Sequence, residues 1–202
     1  MLTFYLIRHG QKEYLNGDPA LTSLGQKQAE FTAAYLKGIP FKKIIASPRK
    51  RTVQTAEIIA QYTGIPVITD DRLRERMDWG EVPGETFDVF LAEWEKTDKD
   101  RNYVPTHGDS SKNAGERVRQ VIEEVAREVT EGNVLIVTHG GVIGDFLRNI
   151  FSDAELPLKT GENIDIRYLD ILECSITIVK KEEEQYSLEI VNSIDHLPEP
   201  LI

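Results

Sequence analysis

Short runs of apolar, β-favouring residues alternate with stretches of helical period along most of the chain. Leu2 to Ile7 predicts a strand, and Ala29, Ala33 and Leu36 then fall on one face of a helix. Lys43 to Ala46 is a second short strand. Ser47-Pro48 after it reads as an N-cap with proline at the first helical position, opening a helix with Val53, Ala56 and Ala60 inward. Gly64 ends that helix ahead of another short strand at Pro66-Val67-Ile68. Further on, Val118, Val121, Ile122, Val125 and Val129 form a helical stripe, Asn133 to Val137 is a buried strand, and Ile143, Phe146, Leu147 and Ile150 restart the helical period. Such strand–helix alternation argues for an α/β sandwich with a largely parallel sheet.

Beyond Ser152 the pattern turns to β-type runs at Ile164 to Leu172, Ser175 to Lys180 and Tyr186 to Val191, with the charged Lys180 to Gln185 segment as a hairpin turn. Residues 71–115 are the least regular part, a lid-like segment holding one amphipathic helix (Phe87, Phe90, Leu91, Trp94) and a polar loop from Thr97 to Lys112. No repeat or linker interrupts the 202 residues, so 1–202 is expected to be a single domain.

Charge narrows the classes. Against 24 Lys and Arg stand 34 Asp and Glu, a net charge of −10. With no basic tract, the chain lacks the footprint that nucleic acid or an anionic membrane requires, so neither is an expected partner. Cys174 is the only cysteine and cannot form an intrachain disulfide; it reads as core filler. The apolar run before Arg8 is too short for a signal peptide, and nothing approaches a membrane span, so a cytoplasmic location is expected.

In an open α/β sheet, ligands bind at the carboxyl ends of the strands. Here the first strand ends in Arg8-His9-Gly10, the second in Ser47-Pro48 with Arg51 a turn later, and the Asn133 to Val137 strand in Thr138-His139-Gly140-Gly141. Taken singly, each is ordinary: a surface arginine, a cap, a structural histidine. Together they bring two arginines and two histidines to one rim, which would repel one another unless an anion sat between them. A phosphoryl group fits, because arginine forks match its oxygens and the glycines beside His9 and His139 permit close backbone approach at helix N-termini. His9 is then a candidate nucleophile, with Arg8 and Arg51 depressing its pKa and keeping it neutral.

These segments resemble successive signatures of the histidine phosphatase superfamily, the phosphoglycerate-mutase-like fold. The resemblance rests on Arg8-His9-Gly10, the run Ser47 to Ala56, Leu73-Arg74-Glu75 with Trp79-Gly80, and Thr138-His139-Gly140. Asp18 to Thr22 with Gly25, and Val191-Asn192 with His196-Leu197, extend it over nearly the whole chain. It implies a three-layer α/β/α sandwich with a mostly parallel central sheet. His9 would be the phosphorylated nucleophile, Arg8, Arg51 and His139 the phosphoryl grip, and Glu75 the general acid. Glu75 also has a plainer reading, an ion pair with Arg72 or Arg76. No cofactor or metal is expected: arginine and histidine supply the positive charge, and His9, His107, His139 and His196 show no metal-ligand spacing.

Departures from the family pattern fall where substrate binds. Gln11, Lys12, Glu13, Tyr14 and Leu15 replace the usual continuation, with Asn16 one place late. Gln11, Asn16 and Gly140 are the expected substrate contacts, and Gly108-Asp109-Ser110 resembles a family Gly-Glu-Ser segment with a shortened acid. Trp79, Phe87, Trp94 and Tyr103 could wall a pocket, although aromatics at helical spacing more often belong to a core. The expected activity is hydrolysis of a small phosphorylated substrate. The alternatives are a mutase, which must hold the phosphohistidine away from water, and a silent phospholigand-binding scaffold. The sequence leaves substrate identity and oligomeric state open.

Overall fold

The computed structural model describes residues 1–152, 155–156 and 170–201. Its central sheet has six strands in the order β3-β2-β4-β1-β5-β6. They are β1 (Leu2–Arg8), β2 (Phe41–Ala46), β3 (Val67–Thr69), β4 (Gly132–Thr138), β5 (Ile176–Glu182) and β6 (Gln185–Ser193). The first four run parallel, and β5 is antiparallel to both β1 and β6. The helices are α1 (Ser23–Leu36), α2 (Lys50–Thr63), α3 (Phe87–Lys99), α4 (Ser111–Glu128) and α5 (Gly140–Ile150).

The central strands β1 and β4 are mostly apolar because helices cover both sheet faces. Successive side chains point to opposite faces, so Phe4, Leu6, Val134 and Ile136 pack with Val118, Ile122, Ile143 and Phe146 of α4 and α5. Ile7, Leu135 and Val137 face the other way, onto Ala33, Leu36, Ala56 and Ile59 of α1 and α2. The result is the expected mostly parallel sheet between helical layers.

Several local expectations are revised. Helix α2 starts at Lys50, and the side chain of the N-cap residue Arg49 makes no capping bond. Ser47 does not cap it because its hydroxyl belongs to His139; Asp18 caps the helix instead, accepting from the Lys50 N–H at 3.0 Å. The inward face of α2 is Thr52, Thr55, Ala56 and Ile59, with Val53 and Ala60 half-buried. The hairpin turn narrows to Glu183-Glu184, since Lys180 and Lys181 are held in the strand by Glu189 and Glu123. Thr97 and Asp98 are buried in α3, so the polar connection spans only 100–110. Of the strand expected at Ile164 to Leu172, residues 164–169 lie outside the described residues, and 170–172 are not strand. Among the described residues no helix is long and apolar enough to cross a membrane.

Close backbone contact sets the path after β1. Gly10 is followed by a long connection, not by the expected helix N-terminus, and it abuts Gly25 on the first turn of α1. A Cβ on Gly10 would lie 2.4 Å from the Gly25 carbonyl oxygen, and one on Gly25 would lie 2.1 Å from that of Gln11. Both obstacles are backbone. Gly25→Ala is therefore expected to destabilise the fold by about 2 kcal/mol, within the usual range for overpacking, lowering the thermal midpoint by several degrees. Calorimetry of the purified variant checks this, and an unchanged midpoint would contradict the packing described.

Candidate active site

Strand register brings the two histidines together. Arg8 pairs with Thr138 and Val137 with Ala46, so β1, β4 and β2 end level. One further ladder bond follows at each end: the His9 N–H donates to the Thr138 carbonyl and the Ser47 N–H to the Val137 carbonyl, both at 3.0 Å. His9, Ser47 and His139 thus leave the sheet side by side, with the imidazole centroids 5.3 Å apart. Arg51, in the first turn of α2, enters between them.

The hydrogen bonds assign both tautomers. His9 Nδ1 lies 2.8 Å from the Gly10 carbonyl, which can only accept, so Nδ1 carries the proton. Its Nε2 accepts from Arg51 Nε at 3.1 Å and is therefore a lone pair. In His139 the order reverses: Nδ1 accepts from Arg51 Nη2 at 3.1 Å, and Nε2–H donates to Ser47 Oγ at 2.8 Å. Burial, then the Arg51 charge, hold both rings well below the usual imidazole range. Of the four groups expected at this rim, two are guanidiniums and two are neutral rings, and burial outweighs the arginines in keeping His9 neutral.

Arg51 is 3 % exposed, and its charge is met by Asp78 Oδ1 at 2.6 Å. Asp78 also pairs with Arg49 at 2.9 Å. On the far side of the rings, Arg8 donates to the Ile171 carbonyl and lies 3.7 and 3.8 Å from the carboxylates of Asp170 and Glu173. Among the described residues its buried Nε has no hydrogen-bond partner.

Glu75 reaches the same cavity from the segment after β3. Its Oε1 accepts from the Arg76 N–H at 3.0 Å and its Oε2 from the Gly141 N–H at 2.9 Å, at the start of α5. It therefore makes no side-chain ion pair with Arg72 or Arg76: Arg72 pairs with Asp70 and Glu124, and Arg76 with Asp98 and Asp145. Burial raises its pKa despite the two N–H donors and the Arg76 charge. Gly141 is required here, since a Cβ would come within 2.7 Å of Glu75 Oε1 and of Trp94. Gly140 packs against the Arg8 side chain.

The cavity holds about 490 Å³, and Arg8, His9, Arg51, Glu75, His139 and Gly140 all line it. Gln11 and Asn16 do not. The Gln11 carboxamide is engaged by the Thr22 hydroxyl at 2.9 Å, and Asn16 packs against Gly80. Lys12, Tyr14 and Leu15 line the cavity in their place. Gly108-Asp109-Ser110 also lies away from it: Asp109 pairs with Arg117, and Ser110 caps α4. Trp79, Phe87 and Trp94 are cavity wall and not core, whereas the Tyr103 hydroxyl bonds Glu93 outside it. Sequence reasoning missed Asp78 and the orienting role of Ser47. Both are tied to partners dozens of residues away, with no local periodicity to mark them.

Two neutral imidazoles, an interposed guanidinium and a buried carboxyl thus meet in one cavity at the carboxyl ends of parallel strands. The model of the histidine phosphatase superfamily (branch 1) matches residues 4–194, and the chain belongs to that family. It is 29% identical to a probable phosphoglycerate mutase GpmB of Erwinia tasmaniensis, covering 98% of this chain and 95% of that one. To the Escherichia coli protein of the same name it is 30% identical, covering 100% and 98%. Among solved structures, a mycobacterial glucosyl-3-phosphoglycerate phosphatase with inorganic phosphate superposes with TM-score 0.77 at 22% identity, over 97% of this chain and 99% of that one. A mutant phosphoserine phosphatase from Entamoeba histolytica, in complex with phosphoserine, gives 0.78 at 22%, over 98% and 100%. These similarities agree with the observed fold.

The tautomers make a spectroscopic prediction. At pH 7, ¹⁵N–¹H correlations are expected to show His9 protonated at Nδ1 and His139 at Nε2. Both should titrate below the ordinary value of about 6.5. Unfolded histidines bind protons near 6.5 while the native rings stay neutral, so these two groups favour unfolding as pH falls through that value. A His9 midpoint at or above 6.5 would sink this assignment.

Proposed function

We propose that the protein is a metal-independent phosphomonoesterase that transfers the phosphoryl group of a small substrate to His9 and then to water. The observation that carries this reading is the His9 Nε2 lone pair, held toward the cavity by the Nδ1–H bond to Gly10 and surrounded by Arg8, Arg51 and His139. An incoming phosphoryl oxygen, being charged, is a stronger acceptor than imidazole and draws the Arg51 N–H off the lone pair. Nε2 then attacks phosphorus as the P–O bond to the alcohol breaks. The growing imidazolium charge is stabilised by the Gly10 carbonyl, and the oxygens are held by the guanidiniums, while His139, bonded to Ser47, keeps Arg51 in place.

Glu75 is suited to protonate the leaving alkoxide, since its raised pKa keeps a share of the acid form available. In the second half, Glu75 takes a proton from water as that water attacks phosphorus. The P–N bond breaks, its electron pair returns to Nε2, and inorganic phosphate leaves. Water has a route to the site, since the rim residues Tyr14 and Leu15 are 71% and 61% exposed. The similarity to the probable phosphoglycerate mutases favours a second reading, a mutase in which a bound sugar acid replaces water as acceptor.

The test is turnover of nitrophenyl phosphate and of an alkyl phosphate with chelator present, beside phosphoglycerate interconversion. Hydrolysis is expected to survive chelator and to fall to background in His9→Ala. Glu75→Gln should lose roughly 10²–10⁴-fold on the alkyl ester and far less on the nitrophenyl ester, whose leaving group needs no proton. Interconversion of phosphoglycerates without net phosphate release would favour the mutase. Hydrolysis retained in His9→Ala would end the phosphohistidine mechanism.

A further inference from the structure

Helix α3 is an unusual element. Its apolar positions Phe87, Phe90, Leu91 and Trp94 share one face, yet its only buried residues are Thr97 and Asp98. It is fastened at its C-terminal end by the ion pair of Asp98 with Arg76. The apolar face lines the catalytic cavity.

That face continues as a wall of rings. Tyr14 meets Trp79 and Phe87 at centroid distances of 5.9 and 5.8 Å, Trp79 meets Phe87 at 5.0 Å, and Phe87, Phe90 and Trp94 follow at 6.1 and 5.9 Å. The Arg76 guanidinium, stacked 3.8 Å over Trp94, ends the series. One polar edge of the wall is already used, Trp79 Nε1 bonding the Glu85 carbonyl, while the Tyr14 phenol stands at the exposed rim. Arg76 is neutralised by Asp98 and Asp145.

Resting on the phosphatase reading above, we infer that the alcohol part of the substrate carries an uncharged aromatic group that packs against the Tyr14–Trp79–Phe87–Phe90–Trp94 wall. A cavity of about 490 Å³ lies within the ~300–1,000 Å³ of sites for ring-bearing ligands. Offset and edge-to-face contacts favour a planar ring over a polar chain. A sugar acid or nucleobase would bring more hydrogen-bonding groups than this wall can pair. The wall and His9 share one cavity, so one ester reaches both.

The experiment compares 2-phenylethyl phosphate with ethyl phosphate, both primary alkyl esters, so that leaving-group chemistry is matched. For the parent enzyme, kcat/KM is expected to favour the phenylethyl ester by about tenfold or more, roughly 1.4 kcal/mol, through a lower KM. Replacing both Phe87→Ala and Phe90→Ala should bring that ratio down toward one. Phe87→Leu with Phe90→Leu should retain part of it. Circular dichroism confirms folding of each variant. Equal use of the two esters by the parent, or a preference for 3-phosphoglycerate over both, would overturn the inference while leaving the phosphatase reading intact. No His9-dependent release from any ester would instead overturn that reading.

Discussion

The Arg51 guanidinium, buried between two neutral imidazoles, is the constraint around which the rest of the site is arranged. A buried charge is costly unless it is paired and its donors are used. Asp78 supplies the counter-charge at 2.6 Å, and His9 and His139 supply the acceptors. Because arginine can only donate, both rings must present lone pairs to it, and that requirement fixes their opposite tautomers. The neutral state of His9 is thus part of the folded structure before any substrate arrives.

The sheet makes that arrangement affordable in precision. Three parallel strands end in register, and the last ladder bonds belong to His9 and Ser47 themselves. Their positions are therefore set by the same hydrogen bonds that build the core. The Thr138 hydroxyl, donating to the Leu73 carbonyl at 2.6 Å, ties the end of β4 to the segment that delivers Glu75. Gly10 and Gly25 let the chain after His9 lie directly on α1. Rigid elements carry the rings, and the irregular segment carries the carboxyl and the wall.

This division explains what could be read from the sequence. Strand ends are local features, so the convergence of Arg8, His9, Arg51 and His139 follows from alternation of strands and helices plus the rule that ligands sit at carboxyl ends. Glu75 was legible through its motif, although no local pattern tells that its oxygens take the N–H groups of Arg76 and Gly141. Ser47 was misread because a serine before a helix satisfies the capping rule whether or not its hydroxyl is already committed to a residue on another strand. Gln11 and Asn16 were misplaced for a related reason: in an irregular connection, which side chain faces the cavity is decided by partners such as Thr22 and Gly80. Helical period correctly gave α3 one apolar face. Period cannot say whether such a face meets a core or a cavity.

Arg76 joins the two halves of the site. Its backbone N–H holds Glu75, and its guanidinium bridges Asp98 on α3 and Asp145 on α5 while stacking on Trp94. Two buried carboxyls compete for one cation, and burial pushes Asp145 up to about 7. The native cluster therefore binds a proton that the unfolded chain would release, so its contribution to stability is present at low pH and declines as pH rises through 7. The two neutral histidines have the opposite dependence, their contribution being lost as pH falls below about 6.5. Near neutrality the two trends oppose one another, and the residue that positions the proposed acid is the one whose charge balance is shifting. A displacement of Arg76 would move the Glu75 carboxyl and the ring wall together, which couples the proposed proton donor to the proposed aromatic surface.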